Sequence, residues 1–227
     1  MNEATSTMLS STPQDPEKAP PSGLSVEAED LRRRLREVNP GSLADRIGAE
    51  YSANGAAEGI LRLAWWGAPV ILNYPELVAR TDAGAELPLP AQALFLYHLN
   101  RSDGAHPTGT WVSFGELPDG RVYEKAYQGY SGDQLARTFG SQIERVRQAC
   151  QKAGGEVVPG VGDAAYRFTA LPRIPLLLTY WLGEDEFPST ARVLFDRSAG
   201  DQLPVDVCAI LGKMLVSRVI KAAQPNP

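Results

Sequence analysis

Apolar residues first recur at helical spacing at Leu24, Ala28, Leu31, Leu35 and Val38, at steps of four, three, four and three. That is one stripe of an amphipathic helix. The opposite face sets Glu29 with Arg33 and Asp30 with Arg34, acid first at the i,i+4 spacing that supports a helix, and Asn39-Pro40-Gly41 stops it. The period then changes to two. Leu61, Leu63 and Trp65 alternate with Ile60, Arg62 and Ala64, predicting a strand. A second extended run, Val70 to Tyr74, follows Gly67-Ala68-Pro69, so the pair predicts a hairpin. Leu77 to Thr81 reads as a third strand or as one helical turn.

Pro90 opens an apolar helix to about Asn100, with Ala91, Leu94, Phe95 and Leu99 on the buried side. Gly109 to Gly120 reads as a short strand and a turn. Ser131 with Gln134, and Ser141 with Glu144, match the reciprocal capping pattern and predict two further helices. In the second, Ile143, Val146, Ala149, Cys150 and Ala153 share one face, and Gly154-Gly155 ends it. Tyr166 and Phe168 alternate with polar neighbours, as Ala191, Val193 and Phe195 do. Ile174 to Leu182 is apolar apart from Thr179, as in a central strand buried on both faces, with Pro175 at its first residues. A closing helix runs from about Val205 to Lys221, acidic at its start and basic at its end.

Strands in consecutive runs predict an α+β fold with one mixed, mainly antiparallel sheet of about five to six strands and helices packed on its faces. Residues 1–23, rich in Ser, Thr, Pro and Glu and without an aromatic, are expected to be a disordered tail. Residues 24–222 are expected to form a single domain, and 223–227 a disordered C-terminus.

Charge and composition then exclude classes of function. The net charge of -5 opposes non-specific attraction to nucleic acid or to an anionic membrane, so neither is an expected partner. The basic run from Arg32 to Arg36 is matched by Glu27, Glu29, Asp30 and Glu37, which makes it a solvated helix face. The apolar stretch at 174–182 is far shorter than the ~20 residues of a membrane helix. The N-terminal residues carry no basic start or apolar run, so the expected location is the cytoplasm. Cys150 and Cys208 are expected to be buried, reduced thiols.

Motifs for cofactors and metals are missing. His98 and His106 stand apart from both cysteines, and no H-E-x-x-H, C-x-x-C or phosphate-binding loop occurs. His98 is expected to be a hydrogen-bonded structural histidine, and His106 a loop residue. Gly160 to Ala165 matches G-x-G-x-x-A but precedes a strand, the wrong context for a dinucleotide site. Gly129-Tyr130-Ser131-Gly132 misses the nucleophile elbow by one position. The acidic triplet at 184–186 reads as a solvated turn. The most site-like stretch holds Trp111, Ser113, Phe114 and Glu116, then Tyr123, Glu124, Lys125 and Tyr127. Apolar walls with a few polar groups are how pockets are built.

The blocks Gly109 to Pro118, Arg173 to Leu178, Phe187 to Asp196 and Leu203-Pro204 resemble an uncharacterised prokaryotic domain-of-unknown-function family, DUF3786-like, over roughly residues 25–222. The resemblance implies a bacterial or archaeal cytoplasmic protein and supplies no catalytic residues. Some relatives carry a Cys-rich, iron–sulfur-type segment that this chain lacks. No cofactor is therefore expected. The leading expectation is a non-enzymatic binding or accessory protein whose partner is a small molecule or a protein. One alternative is an enzyme assembling Glu116, Lys125, Asp196 or the 184–186 carboxylates as acid–base groups. The other is a homo-oligomeric scaffold using the closing helix, where Lys213, Ser217 and Lys221 form a polar strip among Ile210, Leu211, Met214, Leu215 and Val219.

Overall fold

A computed structural model describes residues 23–55, 58–184 and 187–224. The expected tail lies outside them except for Gly23, which opens the first helix. In chain order the elements are α1 (Gly23–Leu35), α2 (Pro40–Ile47), β1 (Glu50–Ala53), β2 (Gly59–Trp65), β3 (Ala68–Tyr74), β4 (Val78–Thr81) and α3 (Leu89–Arg101). There follow β5 (Trp111–Val112), α4 (Glu124–Tyr130), α5 (Gly132–Phe139), α6 (Ile143–Lys152), β6 (Glu156–Val157), β7 (Ala164–Leu171), β8 (Ile174–Trp181), β9 (Thr190–Asp196), α7 (Ala199–Gln202) and α8 (Val205–Ala222). The α+β class and the antiparallel pairing are as expected. The strands, however, divide between two sheets, β1-β2-β3-β4 and β5-β9-β8-β7-β6.

Alternation alone does not say which runs share a sheet. Here the link is made at the β2–β3 turn, where Trp66 and Gly67 both hold positive φ, 50° and 80°. A two-residue hairpin turn needs that conformation. Trp66 is paired into the second sheet instead: its N–H donates to the Ala170 carbonyl at 2.9 Å, and the Arg218 guanidinium lies 5.8 Å from its ring centroid. Trp65 packs on Phe95 with centroids 5.3 Å apart. Buried apolar residues of both sheets consequently form one contiguous cluster, from Ala28 to Val219.

Helix α2 starts at Asn39-Pro40-Gly41, where the sequence predicts only the end of α1. The Asn39 side chain accepts the Ser42 N–H at 3.1 Å, and Pro40 occupies the first turn. The residues that end α1 thus also start a second helix, since Asn is a favoured N-cap and Pro a favoured first residue. On α1 the expected Asp30–Arg34 pair forms, while Glu29 pairs with Arg32 instead of Arg33. Arg32 meets Glu29 and Arg33 meets Asp30 at i,i+3, and only Arg34–Asp30 spans i,i+4, at 3.1 Å. Arg32 is also not solvated; it is buried, with its Nε directed at the Leu77 carbonyl.

Helix α3 is buried almost all round, including Gln92 and His98 beside the predicted apolar face. Gln92 earns no hydrophobic energy there but acts as a strand partner. Its amide accepts the Ala79 N–H at 2.7 Å and donates to the Ala79 carbonyl at 2.8 Å, satisfying the edge of β4. Among the described residues no helix is long and apolar enough to cross a membrane. The closing helix α8 buries Val207, Cys208, Leu211, Leu215, Val216 and Val219 within the chain, which leaves Ile210 as its exposed large apolar residue.

His98 departs from expectation. It is fully buried, yet neither ring nitrogen has a hydrogen-bond partner. Burial lowers its pKa to about 4, the Arg173 guanidinium pushes the same way, and the nearby Gln202 main chain opposes without meeting hydrogen-bond geometry. The unfolded chain therefore binds a proton that the fold excludes between about pH 4 and 6.5. Stability from this group is fully present above 6.5 and falls as the pH drops toward 4, by up to about 3 kcal/mol. Urea midpoints across that range should decline more steeply for the native protein than for His98→Leu. Equal slopes would remove His98 from the account.

A mixed-charge cleft beside the last strand

The segment after Gly109 folds because its aromatics have a common floor. Phe114 stacks on Tyr127 with centroids 4.3 Å apart and planes at 15°, and both approach Phe195 of β9, at 6.3 and 5.9 Å. A capping box closes the short turn between them. The Glu116 carboxylate accepts the Ser113 N–H at 2.8 Å and the Ser113 hydroxyl at 2.9 Å. Those two bonds hold the Glu116 carboxyl below its ordinary value. The capping pattern forms here rather than at the two positions expected from sequence. Ser131 directs its hydroxyl to the Tyr127 carbonyl at 2.6 Å, and α6 starts only at Ile143, with Gln142 as its N-cap.

Helices α4 and α5 then lie along β9, whose other neighbour, β5, pairs only with Phe195 and Asp196. Gln128 bridges them: its amide donates to Asp133 at 2.8 Å and to the Ala191 carbonyl at 3.0 Å. Outside this seam a cleft of ≈ 1030 Å³ opens. One wall carries Glu124, Lys125, Asp133, Ala136 and Arg137, continuing through Gly140 and Ser141. The other carries Thr190, Arg192 and Leu194 of β9 with Glu184, Phe187, Pro188 and Ser189 of the β8–β9 connection. Phe114 and Tyr127 reach it from below.

Of the residues singled out in the sequence, Ser113, Phe114, Glu124, Lys125 and Tyr127 line the cleft. Trp111, Glu116 and Tyr123 do not. Trp111 is half-buried in β5 opposite Asp196, and Tyr123 stands exposed at the start of α4. Tyr127 is largely structural: its buried hydroxyl lies against Gly212 and has no hydrogen-bond partner, and burial raises its pKa. The cleft gains Asp133, Arg137 and Arg192, which no motif marks. Arg192 alone left a trace, as the charged outward position in an alternating strand.

The acid–base set considered from sequence assembles only in part among the described residues. Lys125 and Glu184 share the cleft, and residues 185 and 186 lie outside the described residues. Glu116 serves its turn. Asp196 is fully buried elsewhere, accepting five hydrogen bonds from Thr108, Gly109 and Ser198. Both cysteines are free and buried, and burial pushes each thiol up to about 12, away from nucleophilic use. Among the described residues no three His, Cys, Asp or Glu side chains gather as a metal site would require.

Fold and cleft together define an α+β protein with an open, mixed-charge surface site. The chain belongs to a family described as "Domain of unknown function (DUF3786)", whose profile matches residues 39–218. No curated protein and no solved structure matches it.

Proposed function

We propose that this protein is a non-enzymatic binding or accessory protein and that the cleft between α4–α5 and β9 is its site. The observation that carries the reading is the chemistry of that cleft. Among the described residues it concentrates three cations, three carboxylates and several hydroxyls around an exposed aromatic, which are recognition groups. His98 and both thiols, which would serve covalent or acid–base chemistry, lie buried elsewhere, and His106 is exposed outside the cleft lining. Two free thiols suit a cytoplasmic setting, and the family resemblance favours a bacterial or archaeal source.

Thermal-shift screening of metabolites and peptides tests the reading. Ala136 is half-buried on the cleft wall, so Ala136→Trp should fill the cleft and abolish the shift given by a true ligand. Trp111→Ala should lower the melting temperature by a few degrees (about 1–2 kcal/mol) and leave the ligand shift intact. A ligand that binds Ala136→Trp as well as the native protein places the site elsewhere.

A further inference from the structure

Building on the cleft as the binding site, we infer that its ligand is an extended peptide segment of a partner protein, carrying both an acidic and a basic side chain. Among the described residues the lining is charge-balanced: Lys125, Arg137 and Arg192 stand against Glu124, Asp133 and Glu184. Four of these six, Lys125, Arg192, Glu124 and Glu184, make no ion pair or side-chain hydrogen bond among the described residues. Each wall thus offers one uncompensated charge of each sign. A polyanion such as nucleic acid would meet as much repulsion as attraction, and so would a small anionic metabolite spanning both walls. A peptide of mixed charge can satisfy all four at once.

Size and shape agree. The cleft is at the upper end of small-molecule sites, about 300–1,000 Å³, and it is walled on two sides by elements that leave Phe187 75% exposed. An enclosed metabolite site buries its aromatics, whereas an exposed aromatic at a rim is how peptide and protein interfaces present an anchor. The β9 stretch Thr190–Leu194 that lines it is about 17 Å long, matching about five residues of extended chain. The peptide does not add a strand. Gln128 already occupies the Ala191 carbonyl, and α5 lies against the same edge at Gly132. Recognition runs through side chains, which makes charge order along the peptide the specificity determinant.

The test is selection of displayed random linear peptides of about eight residues on the full chain, with binders of Ala136→Trp subtracted. The expected outcome is a consensus holding an acidic and a basic position around an apolar anchor. Lys125→Glu should weaken a selected peptide about tenfold, as should Phe187→Ala, both exposed positions. Exchanging the peptide's acidic residue for lysine should restore binding to Lys125→Glu. Circular dichroism of each variant checks that the fold persists. Selected peptides indifferent to Lys125→Glu, Arg192→Glu and Phe187→Ala overturn the inference. So does failure to select any peptide while a small molecule from the thermal screen still needs the open cleft, and in that case the cleft remains the binding site. If neither probe depends on the cleft, both readings fall.

Discussion

Asp196→Ala is expected to lower the folding free energy by about 5 kcal/mol, the largest effect of any single substitution proposed for this chain. The carboxylate accepts the N–H groups of Thr108, Gly109 and Ser198 at 2.9, 2.7 and 3.0 Å, and the hydroxyls of Thr108 and Ser198 at 3.0 and 2.8 Å. It is fully buried at the end of β9, and its partners hold the loop that leads into β5. Removing it orphans five donors, each worth about 1–3 kcal/mol when water cannot replace the partner. Entry of water into the vacated space offsets part of that sum. For a chain of this size the melting temperature should fall by about 10–20 °C. Asp196→Asn should be milder, at about 3 kcal/mol, because one acceptor oxygen remains while the new amide group opposes the donors. A melting temperature for Asp196→Ala within a few degrees of the native value would show that the network is not holding the loop.

The same carboxyl gives a pH dependence of definite sign. Burial alone would raise its pKa, but the hydrogen bonds from Thr108, Ser198 and Gly109 outweigh it and hold the carboxyl below 3.8. The group therefore contributes stability that is present above 3.8 and lost as pH falls through its folded value. This window lies beneath that of His98, so acid should weaken the protein in two separable stages.

Gly132→Ala is expected to cost about 4 kcal/mol. A Cβ at this position would overlap the Ala191 carbonyl oxygen and crowd the Gln128 amide that bonds to it. Overpacking usually costs about 1–3 kcal/mol and more where the neighbour cannot yield. Here that neighbour is main chain within β9, paired on its other side with β8, so α5 itself must move away. Because α5 forms one wall of the cleft, ligand binding should weaken with stability. Gly129 in α4 is the matched control. Nothing lies within 4 Å of a Cβ built there, and Gly129→Ala should be neutral or stabilising by about 0.5–1 kcal/mol. Urea midpoints of the two variants decide the matter; similar values would mean that the seam between α5 and β9 is not tight.

Most elements with a clear period were legible from sequence. The α6 face predicted from Val146, Ala149 and Cys150 is the buried face, and Ile174 to Tyr180 is buried on both sides in the centre of its sheet. What escaped were short elements whose stability comes from neighbours. β1 is largely exposed and β6 has two residues, too few for a period to register, whereas the short strand read after Gly109 is β5. α2 was hidden because Asn39 and Pro40 serve as an end and as a beginning at once. The capping boxes expected at Ser131 and Ser141 failed because the pattern S-x-x-E/Q is short, and the Ser131 hydroxyl instead makes a local bond back to the Tyr127 carbonyl, four residues earlier.

The candidate site shows the same division. Its floor, Phe114 and Tyr127, was visible as an aromatic enrichment near turns, and Lys125 lay within the same window. Asp133, Arg137, Arg192 and Phe187 are ordinary surface residues in one dimension, and they come together only because α5 lies against β9.

The mixed-charge cleft and the two-sheet division were therefore decided by tertiary structure alone, since both depend on contacts between residues far apart in the chain. Sequence by itself determined the α+β class, the antiparallel pairing and the buried faces of the long helices and strands. Those follow from the local period of apolar residues, which the chain carries whether or not it is folded.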